Sequence, residues 1–230
     1  MRLNKYIASS TGLSRRAVDE TIAQNRVLVN GQLPSPGQQV TKGDTVTLDK
    51  VAITRFDPTV DTITIMLNKP VGYVVSRDGQ GNRTVYDLLP EELHHLKPIG
   101  RLDKDSSGLL LLTTDGDLSH QLTHPSFQKT KQYQVDLDRP LQPLHRQMIS
   151  DYGVRLEDGP SKLQLERLQD SDDTRWGVTM QEGRNRQIRR TFDSLGYSVK
   201  KLHRTAFGNY VLGDLAAGKY KTAPVKSAHE

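Results

Sequence analysis

The chain reads G-R-L-D-K-D-S-S-G-L-L-L-L over residues 100–112. Turn-forming Gly, Asp and Ser residues dominate the first part of this stretch, and an unbroken Leu run follows them. The change in composition predicts a loop anchored to a buried strand, which is a rigid support for a functional side chain. Because a carboxylate is seldom placed beside a buried strand for packing, Asp103 is the first candidate catalytic residue.

Three interpretations of this loop are open. Asp103 and Asp105 can be ordinary turn acids that accept hydrogen bonds from nearby backbone N–H groups. The D-x-D-x-S-G pattern also matches the start of an EF-hand calcium loop, but Thr114 stands at the twelfth position, where a bidentate Glu is required. In the third interpretation Asp103 is a nucleophile or base, and Arg101 keeps its carboxylate ionised and oriented.

Composition limits the class of protein. The chain has 230 residues, a formal net charge of +5 and 34% hydrophobic residues, which suits one medium domain and one small domain. The basic excess indicates an acidic partner, and nucleic acid is the most common one. The sequence shows no membrane-spanning apolar run, no leader and no cysteine, so it predicts a cytoplasmic protein with no membrane partner, thiolate metal site or disulfide.

Residues 1–48 have the pattern of a small basic module with two short helices and a hairpin. Gly12 is placed to end the first helix, and Ser14 is placed to cap the second. The second helix has Arg15 and Arg16 in its first turn, where positive charge opposes the helix dipole and lowers helix stability. Their placement therefore favours contact with an acidic partner.

The remaining chain predicts a second, larger domain. Residues 49–61 lose periodicity and contain a proline, which is typical of a linker. Residues 62–222 alternate strand patterns with short helices and predict a mixed α+β domain, and residues 223–230 have the composition of a loose tail.

Two further motifs lie in the larger domain. K-Q-Y at residues 131–133 begins a strand with alternating polarity, which on pattern alone makes Tyr133 a core aromatic. G-R-N-R-Q-I-R-R at residues 183–190 opens a helix with Ile188 on its apolar face. Its crowded arginines suit a solvated face or a helix start that contacts phosphate, and one of them could pair with a buried carboxylate.

The motifs together resemble a known family. Residues 1–48 are similar to the alpha-L RNA-binding domain, of the small-subunit ribosomal protein four type. G-R-L-D, K-x-Y and G-R-N-R-Q-I-R-R, in this order behind such a domain, resemble the bacterial rRNA pseudouridine synthases that modify single uridines. The similarity extends over nearly the whole chain and includes L-N-K-P-V-G at residues 67–72. It implies an α+β fold, with a mixed, largely antiparallel sheet and flanking helices in the catalytic domain.

The resemblance also implies an activity. The expected reaction converts a specific uridine of ribosomal RNA to pseudouridine, with large-subunit rRNA favoured, in free rRNA or a pre-ribosomal particle. No cofactor or metal is expected, because the isomerisation has no net redox change and transfers no external group. A monomer is the expected state. The alternative is a non-catalytic RNA-binding or ribosome-assembly factor that keeps the second domain as a scaffold.

Site residues follow from the matching motif positions. The implied catalytic residues are Asp103, Arg101, Tyr133 and Arg189. Asp103 would act on the target nucleotide, Tyr133 would contact its base, and Arg189 would pair with Asp103. The residues expected to line the base pocket are Ile188 and Leu102. The basic residues expected to bind RNA are Arg2, Lys5, Arg15, Arg16, Arg26, Lys131, Arg184, Arg186 and Arg190.

Overall fold

The structure is a computed structural model and describes residues 1–53 and 62–224. The chain divides into two compact units, Met1–Thr62 and Ile63–Glu230. Every helix within the described ranges is too short or too polar to cross a bilayer.

The described residues of the first unit form two helices and three short strands. They are α1 (Leu3–Thr11), α2 (Arg15–Ala23), β1 (Val27–Val29), β2 (Val46–Leu48) and β3 (Val51–Ala52). The predicted helix ends are confirmed, because Gly12 ends α1 with a φ of 75° and the Ser14 side chain accepts a hydrogen bond from the Ala17 N–H at the start of α2. The buried residues that form its core are Leu3, Ile7, Val18, Val27, Val29, Val40 and Val46.

The predicted linker is wrong at its start. β3 pairs antiparallel with β2 through a two-residue turn at Asp49 and Lys50, which have φ values of 51° and 66°. Two positive φ angles are the geometry of a type I′ hairpin turn, which Asn-Gly or Asp-Gly normally signals. Because Asp-Lys lacks that glycine, the hairpin carries no clear sequence signal. Residues 54–61 of the predicted linker lie outside the described residues.

The second unit is built on one large sheet. Its strands are β4 (Thr64–Lys69), β5 (Lys97–Ile99), β6 (Ser107–Thr113), β7 (Lys131–Leu137), β8 (Val154–Leu156), β9 (Gly159–Ser161), β10 (Gln164–Arg167), β11 (Arg175–Met180), β12 (Val199–Phe207), β13 (Tyr210–Val211) and β14 (Tyr220–Thr222). Its helices are α3 (Gly116–Thr123), α4 (Pro143–Gln147), which continues into a π-helical turn, and α5 (Gln187–Asp193).

The order of the main path is β10-β11-β7-β12-β6-β4-β14, with β5 on β6 and β13 on β12, while β8 and β9 form a separate hairpin. β12 and β6 pair in parallel, and the other pairs of this sheet are antiparallel. The predicted mixed, largely antiparallel sheet is confirmed.

The Leu run forms the centre of this sheet. Leu110 and Leu112 point into one hydrophobic cluster, and Leu109 and Leu111 point into the other. All four are fully buried. Successive strand residues face opposite sides, so an unbroken Leu run requires cover on both faces. β6 therefore provides a rigid support for the loop that precedes it.

The predicted loose tail is also wrong at its start. Ala223 is buried, and its N–H donates to the Thr64 carbonyl at 2.8 Å, which continues the pairing of β14 with β4. Residues 225–230 lie outside the described residues.

Candidate active site

A cleft of about 890 Å³ opens on the second unit beside residues 100–106, which we call the acidic loop. The predicted site residues that line it are Arg101, Leu102, Asp103, Tyr133 and Ile188. Separate elements bring them together, since the acidic loop precedes β6, Tyr133 lies on β7, and Ile188 lies in the first turn of α5.

The floor of the cleft is apolar. Leu102, Tyr133 and Ile188 are 7%, 9% and 4% exposed, and all three belong to the main hydrophobic core. Tyr133 thus has the core position that its strand pattern predicts and also lines the cleft. A buried apolar floor with an aromatic ring can accept a planar base.

Asp103 combines access with a counter-charge. Its side chain is 34% exposed, and its Oδ2 lies 3.4 Å from Nη1 of Arg186. Arg186 caps the start of α5 with a left-handed φ of 46°, and its guanidinium also bonds both carboxylate oxygens of Asp105, at 3.1 and 3.2 Å. The Arg186 guanidinium therefore links the start of α5 to both carboxylates of the acidic loop.

The predicted pairing of Arg189 with Asp103 is wrong. Nη1 of Arg189 donates to the Val199 carbonyl at 2.7 Å, Nη2 donates to the Asp105 carbonyl at 2.9 Å, and Nε lies 3.3 Å from Oδ2 of Asp105. Arg189 lies one turn further into α5, so its guanidinium contacts the carbonyl and the carboxylate of Asp105. Arg101, the other expected partner, is exposed on the cleft wall. The ion pair that the structure shows for Asp103 is with Arg186.

The charges in the acidic loop are balanced by arginine. Burial by itself would raise the pKa of Asp105, but the hydrogen bond from Arg186 and the charges of Arg189 and Arg186 outweigh it and hold this pKa below its ordinary value. Asp105 is therefore ionised at neutral pH. Guanidinium groups already occupy the carboxylates of Asp103 and Asp105, which disfavours the calcium-loop interpretation.

Lys69 holds the acidic loop from beneath. Its side chain is fully buried, and Nζ donates to the carbonyls of Pro70, Asp103 and Ser106 at 3.1, 3.0 and 2.7 Å. Burial lowers the pKa of Lys69 to about 8, although the charges of Asp103 and Asp105 act in the opposite direction. The sequence did not identify this role, and its one signal was the lysine of the L-N-K-P stretch at residues 67–70.

Lys69→Met is expected to lower the free energy of unfolding by about 2 kcal/mol at pH 7, because three carbonyls lose a charged donor. Removal of the buried charge offsets part of this loss. The folded-state pKa of about 8 lies below the ordinary 10.5, so the unfolded chain binds more protons between these values. Wild-type stability should therefore rise with pH across this window, and Lys69→Met should lack that rise.

Urea unfolding at several pH values measures both effects, with Lys97→Met, at an exposed position that begins β5, as the matched control. The control should stay within about 0.5 kcal/mol of wild type. An identical pH slope in Lys69→Met and wild type would contradict the assignment.

Several basic residues predicted to bind RNA form ion pairs with carboxylates of the protein itself. Arg184 and Arg190 lie 2.9 and 2.7 Å from Asp158, in the turn between β8 and β9. Arg26 lies 2.6 Å from Asp49. These carboxylates compensate part of the charge that the sequence assigned to RNA contact. Arg184 and Arg186 line the cleft together with Lys131, but Arg186 is also paired, with Asp103 and Asp105. The exposed residues of the first unit include Arg2, Arg15 and Arg16.

A small helical unit followed by a mixed sheet, with an acidic loop in a cleft lined by cations, defines a class of two-domain nucleic-acid-binding proteins. The sequence profile of the RNA pseudouridylate synthase family matches residues 63–194, and the S4 domain profile matches residues 1–46. The chain belongs to the RNA pseudouridylate synthase family and has an N-terminal S4 domain.

Individual relatives agree with this assignment. The chain is 36% identical to ribosomal large subunit pseudouridine synthase B of Bacillus subtilis, over 94% of this chain and 89% of the relative. It is 37% identical to the protein of the same name from Xanthomonas campestris, over 92% of this chain, but spans only 44% of that relative's length. A crystal structure of a pseudouridylate synthase superimposes with a TM-score of 0.70 and 34% identity, over 97% of this chain and 96% of the other.

Proposed function

We propose that this protein converts a specific uridine of ribosomal RNA to pseudouridine, with large-subunit rRNA as the favoured substrate. The observation that carries the proposal is the Asp103 carboxylate, accessible in a cleft whose floor includes the buried Tyr133 ring. Membership of the RNA pseudouridylate synthase family supports it, and so do relatives named for the large ribosomal subunit.

The chemistry requires such a carboxylate. The bond between uracil N1 and sugar C1′ breaks, the base turns, and C5 bonds to C1′; C5 loses a proton and N1 gains one, so the product is an isomer. Asp103 can attack the sugar or the base, or remove a sugar proton, and each route needs its ionised form. Arg186 lies 3.4 Å from one oxygen of this carboxylate and orients it. Tyr133 provides a ring for a uridine that has left the RNA stack, which costs a few kcal/mol.

The two units have separate parts in this proposal. Residues 1–48 bind RNA, and residues 62–222 form the catalytic domain. The protein acts as a monomer in the cytoplasm, on free rRNA or a pre-ribosomal particle, and uses no cofactor or metal. Arg101 and Arg189 assist at the catalytic site, the former from the cleft wall and the latter by holding Asp105.

The direct test uses the purified chain and an unmodified large-subunit rRNA transcript. Carbodiimide labelling with primer extension should detect pseudouridine at one position, and no uracil should be released. Released uracil would indicate hydrolysis of the glycosidic bond instead. Tight RNA binding without either product would support the alternative of a non-catalytic RNA-binding factor. Mapping rRNA from cells that lack the protein then identifies the same uridine in vivo.

Replacing both Arg15 and Arg16 with Ala is expected to weaken rRNA binding about tenfold or more and to flatten its salt dependence by one to two phosphate contacts. Both side chains are exposed at the start of α2, where removing positive charge also relieves the unfavourable helix dipole. Filter binding at several salt concentrations measures the slope. An unchanged slope would exclude this surface from RNA recognition.

A further inference from the structure

Arg204 is a buried cation without a counter-charge. It lies on β12, is 2% exposed and lines the cleft. Its Nε donates to the Leu109 carbonyl at 2.8 Å, whereas Nη2 has no hydrogen-bond partner. Among the described residues, no carboxylate pairs with it. A buried guanidinium left in this state is costly, and an anionic ligand would remove that cost.

A second cation lies beside it. Lys131 begins β7 and also lines the cleft. Its Nζ donates to the carbonyls of Lys129, Gln181 and Glu182, and within the described part of the chain no carboxylate pairs with it either. Burial lowers the pKa of Lys131, and the charge of Arg204 lowers it further. Two neighbouring positive charges therefore face the same end of the cleft.

Phe207 holds these two cations at one place. The Arg204 guanidinium carbon lies 4.9 Å from the ring centroid of Phe207, and the Lys131 Nζ lies 5.2 Å from it. An aromatic face attracts a cation, but it supplies only a small part of what a carboxylate would supply. The cluster of Arg204, Lys131 and Phe207 thus keeps net positive charge, which suits an anionic ligand.

This cluster lies next to Tyr133 in the sheet. Arg204 is the register partner of Tyr133 in the antiparallel pair of β12 and β7. Residues directly opposite each other in such a pair place their side chains on the same face, about 5 Å apart at Cβ. A base held against Tyr133 therefore has its own phosphate, or that of the next nucleotide, within reach of Arg204.

We propose that Arg204 and Lys131 form a phosphate subsite for the RNA backbone immediately beside the target nucleotide. This inference rests on the proposed function and specifies how its substrate is held. The subsite pulls the phosphate of the everted nucleotide into the cleft, so the base is placed by its backbone as well as by its ring. Phosphate is the ligand because it is the anion that accompanies every base of an RNA chain.

Equilibrium binding of full-length protein to the unmodified rRNA transcript tests the subsite without relying on catalysis. Lys131→Gln is expected to weaken binding about tenfold and to reduce the salt slope by about one. The matched control is Lys221→Gln, an exposed residue on β14 at the far edge of the sheet, and it should bind like wild type. Equal affinities and slopes for the two variants would overturn the proposal.

Arg204→Lys tests the second cation. Lysine keeps the charge and can still donate to the Leu109 carbonyl, but it lacks the planar fork that recognises phosphate. We expect an approximately tenfold loss of affinity, and wild-type affinity would remove Arg204 from the subsite. If thermal unfolding shows that this variant is not folded, the Lys131→Gln result alone decides whether the subsite exists.

A synthetic RNA spanning the target uridine locates the phosphate. Each flanking phosphate is replaced in turn by an uncharged methylphosphonate. Wild type should lose about tenfold in affinity at one position, and Lys131→Gln should lose clearly less there, because only the Arg204 contact remains to be removed. Additive losses would overturn the subsite. A wild-type enzyme that isomerises uridine but ignores both replacements contradicts the subsite alone, whereas a wild type that forms no pseudouridine contradicts the proposed function.

Discussion

Asp103→Asn is expected to lower the rate of pseudouridine formation by at least about 10³-fold, while the affinity for rRNA stays within a few-fold. The amide keeps the shape of the carboxylate but can neither attack the nucleotide nor remove its proton. Single-turnover labelling of the rRNA transcript measures the rate, and filter binding measures the affinity. Full activity in this variant would reject Asp103 as the catalytic residue.

The stability of this variant should remain close to wild type. The ion pair of Asp103 with Arg186 is long, at 3.4 Å, and the carboxylate is one-third exposed. Such pairs contribute less than about 1 kcal/mol, so lost activity cannot be attributed to unfolding. Asp105→Asn is the matched control, because it removes the same charge from the same loop. We expect it to lower the rate by less than about tenfold, through a looser Arg186 and Arg189.

Gly108→Ala is expected to lower the free energy of unfolding by more than about 3 kcal/mol, a loss at the upper end for a single substitution. Gly108 has a φ of 105°, which side-chain-bearing residues rarely adopt. A Cβ at this position would lie 2.2 Å from the Arg204 carbonyl oxygen and 2.5 Å from its nitrogen. Both contacts are to backbone, so relief requires separating β6 from β12, where the two strands pair in parallel.

Urea unfolding measures this loss, and Gly116→Ala is the control. Gly116 is the first residue of α3, and a Cβ there would meet nothing within 4 Å. Alanine at this position should stabilise the protein by up to about 1 kcal/mol, because it restricts the unfolded chain and favours helix. Matching unfolding midpoints for the two variants would contradict the close approach of β6 and β12.

The sequence predicts the elements whose signals are local. Gly12 and Ser14 identify adjacent helix ends because capping depends on residues a few positions apart. The Leu run predicts a buried strand because hydrophobic burial depends on composition and period more than on exact position. The same reasoning places Asp103 in a loop at the end of that strand. It fails for the hairpin of β2 and β3, whose turn residues are untypical.

The sequence does not predict the parts of the candidate site that depend on where each side chain points in the folded protein. Four arginines follow Gly183 within seven residues, and any of them could meet Asp103 on pattern alone. The structure selects Arg186, 83 residues away along the chain, because the left-handed start of α5 turns this side chain toward the loop. Lys69 is similar, since its three carbonyl acceptors become neighbours only after β4 and β6 pair.

The amino-acid order by itself determines which stretches bury apolar surface and where the chain turns, because both depend on neighbours within one or two turns of backbone. Tertiary structure alone decides which cation meets which anion and leaves Arg204 buried without one. A hydrogen bond or close ion pair forms only when the distance between donor and acceptor lies within a few tenths of an ångström of its preferred value and the angle lies in a limited range. Such precision is set by the packing of strands and helices that lie far apart in the sequence.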